Sequence, residues 1–516
     1  MSSFDLNQRS AGVLLHPTSL PGPHGCGDLG AGARAFADFL GAAGQRWWQL
    51  LPINPIGAGN SPYSGLSAFA GSPLRIDLEA LVHAGLLSRD EAGLHSMLTP
   101  AVDYARAGVE RERALRLAFS RYVGQPGWRD ELDAFETRTA YWLPDYTLFA
   151  ALRQLHEQRA WTQWPEALAH RDPTALAEAA RILAPEIDYL RFQQKLFAEQ
   201  WQALRAYCHG REVGLIGDVP IFVAHDSSDV WAHQSQFRLD ADGQPTHVAG
   251  VPPDYFSATG QRWGNPLYAW KRQRRNGYAW WVERMRVMMS RFDSLRLDHF
   301  IGFQRYWEIP VSAPTAVEGR WMKGPGRPLF DALKAALGPL SIIAEDLGSI
   351  DDRVKRLRDG LELPGMCVLQ FAFADGSEGF LPHNYPRRCV AYTGTHDNDT
   401  ALGWYFDQGI ESMRSPEHTE HERGAARLYL TGRTTPEADH EIEWAMMRAL
   451  HASAANLVIV PMQDLLALPT SARMNVPGRE HGNWTWRLDA SHVTVPLAER
   501  LGAMTKLFGR VNAAAP

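Results

Sequence analysis

Short apolar runs recur along the chain and alternate with segments of helical periodicity. Eight of these runs lead into Gly, Pro, Asp or His, and we predict strands at Gly12–His16, Trp47–Pro52, Gly214–Pro220, Ser294–His299, Ser341–Glu345, Met366–Ala372, Cys389–Thr393 and Leu457–Met462. The runs are too short and too continuous for half-exposed strands. They are typical of a parallel sheet that is buried on both faces.

Helical patterns lie between most of the predicted strands, for example over Ala31–Gly41, Tyr278–Met289 and Arg327–Leu337. Eight strands that alternate with helices predict an α/β protein with a (β/α)8 barrel. A doubly wound open sheet has the same alternation, so the pattern favours the barrel without excluding the open sheet.

The spacing of the predicted strands is uneven. About 160 residues separate the second strand from the third, and they predict a mostly helical insertion over 75–205, with a capping box at Ser88–Glu91 and one apolar helix face made by Leu190, Phe197, Trp201 and Leu204. Irregular stretches cover 222–270, after the third strand, and 310–328. We assign residues 1–516 to a single catalytic barrel, whose long loops follow strand ends, where barrel enzymes carry their chemistry.

Composition and charge narrow the class of protein. With 45% hydrophobic and 21% charged residues, the 516-residue chain can bury a large core. A net charge of −6 without a basic block argues against a nucleic-acid or membrane-surface partner, and no apolar run approaches the roughly 20 residues of a membrane span. Residues 1–10 do not resemble a signal peptide, and the four scattered cysteines suit reduced thiols. We therefore expect a soluble, cytoplasmic enzyme.

Aromatic residues indicate the kind of ligand. The chain has 18 Trp, 15 Tyr and 21 Phe, many of them beside Gly, Pro, Asn or Asp. Any single Trp is most simply a core residue. Together, aromatics in polar loops suit flat, hydroxyl-rich ligands, which need an apolar platform surrounded by hydrogen-bonding groups.

Ionisable residues collect at the predicted strand ends. Arg296 and Asp298 are two apart on one strand and share a face, so they need a role or a partner, although a purely structural Arg–Asp pair would also satisfy them. Glu345 and Asp346 both lie at a strand end, and parity does not decide between them. The others at such ends are Asp218, His299, His396 and Asp397.

Three carboxylates and an arginine in one pocket meet the needs of retaining glycoside chemistry. One carboxylate attacks the anomeric carbon, and a protonated partner about 5–5.5 Å away gives the leaving oxygen its proton. We expect the arginine to lower the pKa of the nucleophile, and we expect burial and nearby negative charge to raise the pKa of the acid.

Two other chemistries compete for the same residues. Gly25–Gly30 matches a dinucleotide-binding glycine pattern, but eight residues, 17–24, separate it from the strand ending at His16, and no acid lies in 44–54. His16, His299 and His396, with Asp218 and Asp397, would suit a metal site. However, the first strand has no His-x-His pair, and the chain has no His-Glu-x-x-His motif. We expect no metal and no organic cofactor.

The sequence resembles the 4-α-glucanotransferases called amylomaltases or disproportionating enzymes, of glycoside hydrolase family 77. The matching segments follow one another across nearly the whole chain: 12–30, 61–63, 216–222, 250–256, 262–267, 296–300, 320–326, 344–348, 394–398, 473–475 and 483–484. The resemblance implies a (β/α)8 barrel with large insertions in its strand-to-helix loops. It also implies malto-oligosaccharides and larger α-1,4-glucans as substrates.

The resemblance also implies roles for individual residues. Asp298 matches the nucleophile, Glu345 the general acid/base, and Asp397 the third acid, which helps to distort the sugar ring. Residues 250–256 match a loop that closes over bound glucan. The matching sugar-binding positions are Tyr63, Asp218, Trp263, Arg296, His299, Asp375 and His396.

The implied activity is transfer of an α-1,4-glucan segment to the 4-hydroxyl of another glucan or of glucose, with retention of configuration. An α-glucan hydrolase with the same acids is the main alternative, and a non-catalytic glucan-binding protein is a second. Ala58 replaces a tyrosine that some relatives use in a remote second glucan groove, which puts that groove in doubt here.

Overall fold

The computed structural model describes residues 4–93, 99–253, 257–348, 350–406, 416–479 and 481–511. Within them lie twelve strands: β1 (Ser10–Leu14), β2 (Trp47–Gln49), β3 (Gly214–Val219), β4 (His247–Val251), β5 (Gln261–Pro266), β6 (Ser294–Leu297), β7 (Arg305–Pro310), β8 (Arg320–Lys323), β9 (Ile342–Ala344), β10 (Gly365–Val368), β11 (Cys389–Tyr392) and β12 (Leu457–Pro461).

The α-helices of the same residues surround and cover these strands. They are α1 (Ala31–Ala42), α2 (Leu78–His83), α3 (Tyr104–Tyr122), α4 (Trp128–Arg138), α5 (Leu143–Leu155), α6 (Glu166–Ala169), α7 (Pro173–Ile182), α8 (Ala184–His209), α9 (Ser228–Ala232), α10 (Trp270–Arg275), α11 (Ala279–Arg291), α12 (Ile301–Gln304), α13 (Arg327–Leu337), α14 (Asp352–Gly360), α15 (Ala401–Phe406), α16 (Pro416–Thr431), α17 (Ile442–Ala452), α18 (Met462–Leu465) and α19 (Val495–Leu507).

Eight strands form a parallel barrel. Their order is β10, β11, β12, β1, β2, β3, β6 and β9, and the amide of Ala344 in β9 donates to the carbonyl of Pro364 beside β10 at 2.9 Å. All eight predicted strands and the barrel fold are confirmed, and the open-sheet alternative is wrong. Each strand ends one to four residues earlier than predicted, because the last residues of each predicted run already belong to the loop or helix that follows.

The barrel strands are apolar on both faces because each face meets a packed layer. Leu14, Trp47, Ile216, Val390 and Ile459 fill the interior of the barrel with their buried side chains. Alternate residues on the outer face pack against the helices in a second, larger core. This double burial is what produces continuous rather than alternating apolar runs.

Helices α2 to α8 lie between β2 and β3. The four residues predicted to share a helix face are all buried on α8. The capping-box bonds also form, since Ser88 N donates to Glu91 Oε2 at 2.8 Å and Glu91 N donates to Ser88 Oγ at 3.2 Å. Residues 89–93 form a turn.

A second, antiparallel sheet was not predicted. Its strands run in the order β5, β4, β7 and β8. Strands β4 and β5 lie in the stretch 222–270 and β8 lies in 310–328, both of which we expected to be irregular, whereas β7 ends at the first residue of the second stretch. These strands are short, three of them contain an arginine, and β4 pairs with β7 more than 50 residues away. Neither their periodicity nor their local sequence predicts that pairing. No helix in the described ranges is both long and apolar enough to cross a bilayer.

Candidate active site

The register of neighbouring barrel strands brings the predicted acids together. Asp218 on β3 is the direct partner of Arg296 on β6. On the other side of β6, Leu297 pairs with Ala344 of β9, so Asp298 and Glu345 follow one residue beyond the last pair. Because parallel strands end at the same edge, all these side chains lie at the carboxyl end of the barrel.

Arg296 lies at the centre of the group. Its Nη1 donates to both oxygens of Asp218, at 2.9 and 2.7 Å, and lies 3.1 Å from Asp298 Oδ1. Arg296 and Asp218 are buried, whereas the side chain of Asp298 keeps 27% of its surface exposed. The arginine is therefore shared between an enclosed acid and one that a ligand can reach.

Backbone amides hold the carboxylate of Glu345. His299 N donates to Oε2 at 2.7 Å, and Leu347 N donates to Oε1 at 3.1 Å. His299 has a φ of +50°, a left-handed conformation that is costly for a residue with a side chain. This strained turn directly follows Asp298, and it aims the amide of His299 at Glu345.

Asp346 has a different role from its neighbour. Its buried carboxylate pairs with Arg358 and accepts from Met366 N at 2.9 Å, which ties the end of β9 to β10. Of the two acids between which the strand pattern did not decide, only Glu345 joins the group around Arg296.

The shared arginine does not lower the pKa of Asp298 as expected. Burial raises the pKa of Asp298, Arg296 opposes that rise only in part, and Asp397 adds to it. Burial raises the pKa of Glu345 to about 8, Arg296 opposes this, and the charge of Asp298 adds to it. Asp298 has the direct contact with Arg296, so the proton of the pair belongs on Glu345.

Tyr63 and His396 form the wall of the site next to Asp218. The hydroxyl of Tyr63 donates to Asp218 Oδ2 at 2.6 Å and lies 2.8 Å from His396 Nε2. Burial lowers the pKa of His396, so a neutral ring that carries its proton on Nε2 completes this chain. The two rings stack at 5.3 Å with an angle of 10°, and Trp484 lies 5.9 Å from each.

Asp397 is held by residues that sequence reasoning did not place in the site. Asn475 Nδ2 donates to its Oδ1 at 2.6 Å, and Arg473 Nη2 donates to its backbone carbonyl at 2.6 Å. Its side chain keeps 44% of its surface exposed. Arg473, Asn475 and Trp484 lie in segments that match the family, but nothing in their residue types pointed to a contact with the acids.

Trp263 meets the group through His299. Its ring, on β5, stands edge-on to His299 at a centroid distance of 4.9 Å and an angle of 88°, and the residue is 38% exposed. Burial lowers the pKa of His299 to about 4, so its ring is neutral. Of the loop 250–256, residues 254–256 lie outside the described residues, as does the side chain of Ala58.

Asp375 is the one predicted site residue that the structure does not bring into this group by any contact it describes. Its side chain is 94% exposed and pairs with His421 of α16 at 3.1 Å. Its assignment to the site therefore stays a prediction.

The structure bears on both the glycine pattern of 25–30 and the histidines and acids considered for a metal site. A Cβ at Gly27 would lie 2.0 Å from the carbonyl of Pro17, and one at Gly30 would meet the carboxylate of Asp77, so close packing requires these glycines. Among the described residues, no group of three or more His, Cys, Asp or Glu has a geometry that would hold a metal ion.

The model of the glycoside hydrolase family 77, described as 4-alpha-glucanotransferase, matches residues 15–493. The chain belongs to this family. It is 48% identical over 510 residues to the 4-alpha-glucanotransferase of Thermus thermophilus, covering 98% of this chain and 99% of that protein. The corresponding protein of Synechocystis sp. is 43% identical over 512 residues, covering 98% and 99%.

A solved structure agrees with these relatives. The amylomaltase from Streptococcus agalactiae, determined in complex with acarbose, superposes with a TM-score of 0.91 at 37% identity, covering 98% of this chain and 100% of that one. The relatives in these comparisons are named for glucan transfer.

Proposed function

We propose that this protein is a 4-α-glucanotransferase that cuts an α-1,4-glucan and joins the freed segment to the 4-hydroxyl of another glucan or of glucose. The observation that carries the proposal is the set of carboxylates around Arg296 at the barrel mouth, in a chain of this family. Glu345 holds a proton near neutral pH, as an acid catalyst must.

In the first half of the reaction, Glu345 gives its proton to the glycosidic oxygen while Asp298 attacks the anomeric carbon. The bond to the leaving segment breaks, and a covalent glycosyl–enzyme intermediate forms on Asp298. The partial exposure of Asp298 supports this role, since a nucleophile has to reach its substrate. Arg296 offsets the charge of the carboxylate before attack.

In the second half, the 4-hydroxyl of the acceptor enters and Glu345, now ionised, removes its proton. The acceptor oxygen displaces Asp298, so the new bond has the original α configuration. Asp397, held by Asn475, binds the hydroxyls of the donor sugar and helps to distort its ring.

Transfer prevails over hydrolysis only when the acceptor site holds sugar better than it admits water. We assign Tyr63 to the donor side, Trp263 to the acceptor side and residues 222–270 to the cover over the substrate. Asp218, Arg296, His299 and His396 complete the sugar-binding wall, and Asp375 lies further out on the acceptor side. The partly exposed ring of Trp263 beside His299 supports this arrangement.

The test is the product ladder from maltotriose, run with and without a chelator. A transferase makes glucose together with oligomers longer than maltotriose, and we expect EDTA to leave the ladder unchanged. Glucose and maltose without longer products would instead indicate a hydrolase. Loss of activity that zinc or calcium restored would indicate a metal-dependent enzyme.

The acceptor assignment has a separate test. Trp263→Ala should raise the ratio of hydrolysis to transfer on maltotriose, because water competes better when the acceptor platform is lost. An unchanged ratio would contradict the assignment of Trp263, whatever happened to the overall rate. We expect acarbose to bind the same cleft, and we place the enzyme in the cytoplasm, in maltodextrin or glycogen metabolism.

A further inference from the structure

Asp464 is a buried acid for which the proposed mechanism has no use. It lies on α18, three residues beyond β12, and is 2% exposed. One carboxylate oxygen accepts from Thr393 Oγ1 at 2.5 Å, and the other accepts from Ala401 N at 2.7 Å. A single side chain thus joins the end of β11 to the start of α15.

Thr393 and Ala401 bracket the loop 394–400, which carries His396 and Asp397. Because both ends of this loop are bound to one carboxylate, their separation is set by Asp464. The chain that follows Asp464 also reaches the loop itself, through the contacts of Arg473 and Asn475 with Asp397.

The loop is not packed tightly on all sides. A partly open pocket of about 20 Å³, enough for one water molecule, lies against it and is lined in part by His16, Thr395, His396, Asp399 and Asp464. A loop that borders a void has room to shift, so its position depends on its hydrogen bonds more than that of a fully packed loop does.

The charges around Asp464 do not favour an ionised acid. Burial raises its pKa to about 7, the bonds from Thr393 and Ala401 oppose this rise, and the nearby acids Asp399 and Glu443 add to it. A buried acid that faces other acids costs stability. Stability alone is therefore a poor explanation for a carboxylate at this position.

We propose that Asp464 is a positioning residue for the transfer reaction. It fixes the two ends of the loop 394–400 and thereby sets the place of Asp397 against the donor sugar. The inference rests on the function proposed above, and it adds a residue that touches neither substrate nor reacting atoms.

A double-mutant cycle with Asp464→Asn and Asp397→Asn tests this inference. Asparagine keeps the volume of aspartate, but its amide nitrogen cannot accept a hydrogen bond. The variant therefore loses either the bond from Thr393 Oγ1 or the bond from Ala401 N. We expect Asp464→Asn to weaken acarbose binding, measured by calorimetry, by about 10–100-fold, and to lower kcat more than it raises KM. In the Asp397→Asn background the same change should weaken acarbose binding no further.

If the two losses multiply, Asp464 acts independently of Asp397 and the inference is wrong. Thr393→Val removes one anchor of the same clamp and should weaken binding in the same non-additive way, whereas Thr393→Ser should restore it. These variants keep the test decisive even if Asp464→Asn does not fold.

Asp293→Asn is the matched control for a general loss of stability. Asp293 precedes β6 at the opposite end of the barrel, its side chain is 2% exposed, and it accepts from Leu215 N at 2.9 Å. This change should lower the melting temperature and leave acarbose binding unchanged. A wild type that neither transfers maltotriose nor binds acarbose would refute the proposed function, whereas an additive cycle in an active enzyme refutes only the positioning role.

Discussion

Two ion clusters, one at the barrel mouth and one in the antiparallel sheet, have opposite balances of charge. At the mouth, the single guanidinium of Arg296 contacts Asp218 and Asp298. In the sheet, the single carboxylate of Glu308 on β7 pairs with Arg238 and with Arg320, whose Nη2 is 2.8 Å away. His247 Nε2 lies 3.7 Å from the same carboxylate.

The ratio of acids to cations in each cluster decides whether the pKa of its carboxyl groups rises or falls. Burial raises the pKa of the acids in both clusters. At the mouth, the charge of Asp298 adds to this rise, and the pKa of Glu345 reaches about 8. In the sheet, the hydrogen bonds from Arg320 and Arg238 outweigh burial, and the pKa of Glu308 falls below its usual value. Where acids outnumber cations, a carboxyl group keeps its proton near neutral pH and can act as an acid. Where cations outnumber acids, the carboxylate stays ionised.

The two clusters also differ in access. Asp298 keeps 27% of its side chain exposed, whereas Glu308 is 1% exposed beneath its partners. Glu308 lies opposite Arg320 in the register of β7 and β8, so the ion pair holds two strands of the sheet together. The first cluster is open to a ligand, whereas the second is enclosed and joins strands of the sheet that carries Trp263.

The largest expected effect separates the clusters by activity. Asp298→Ala and Glu345→Gln should each lower the transfer rate by several orders of magnitude, because each removes an essential member of a concerted set. Glu308→Gln should retain most of the rate. Rates on maltotriose, with circular dichroism as the check of folding, decide this. A folded Asp298 or Glu345 variant with more than about a tenth of the wild-type rate would refute that residue's role.

The next effect separates the clusters by stability. Glu308→Gln should lower the free energy of unfolding by about 1.5–3 kcal/mol, because it removes the charge-assisted hydrogen bonds that join the buried carboxylate to Arg238 and Arg320. The matched control is Glu178→Gln, which breaks a solvent-exposed pair with Arg181 and should leave the free energy of unfolding almost unchanged. Denaturant unfolding of both variants measures the difference, and equal losses would contradict the structural role of Glu308.

A smaller effect concerns the wall beside the mouth cluster. Tyr63→Ala should lower the efficiency of transfer by about 10–150-fold, or roughly 1–3 kcal/mol, because the donor sugar loses its platform. Tyr63→Phe keeps the ring and removes only the hydroxyl that donates to Asp218, so it should lose less. If the two variants lose the same amount, the hydroxyl rather than the ring accounts for the role of Tyr63.

The smallest effect is the dependence of stability on pH. Glu345 binds its proton more tightly when folded, so its contribution is complete below its ordinary pKa of 4.5 and is lost as pH rises towards 8. The wild type should therefore lose stability relative to Glu345→Gln as pH rises through that window.

Glu308 should behave in the opposite way. Its contribution is present above pH 4.5 and is lost as pH falls through its lowered folded pKa, so the gap between wild type and Glu308→Gln should narrow in acid. Thermal unfolding of all three proteins from pH 3 to pH 9 gives both slopes. If the stability differences between the wild type and the two variants change with pH in the same direction, the contrast between the two clusters is wrong.

Sequence patterns predicted the barrel well and the second sheet not at all. The barrel strands are buried on both faces, so each leaves a continuous apolar run, such as 457–461, that no long-range contact has to explain. Strand β8, by contrast, has the burial of a partly exposed edge and depends on Trp307 and its neighbours in β7 for pairing. Its residues contain no comparable local signal.

For the site, residue types and spacing were enough to select Arg296, Asp298 and the other acids at strand ends. The choice between Glu345 and Asp346 needed the resemblance to a known family, and the structure supplies the reason. The carboxylate of Asp346 pairs with Arg358 and accepts a hydrogen bond from Met366 N, so only Glu345 joins the group around Arg296. The spacing of residues along a strand contains no information about such partners from other strands.

The sequence by itself determined the eight barrel strands and the acids at their ends, because strand periodicity and local burial are properties of neighbouring residues. Only the tertiary structure decided how protons are distributed among these acids. The pKa of Glu345 depends on burial and on Asp298, and that of Glu308 on arginines from other segments. These electrostatic effects act through space, over distances that folding alone creates.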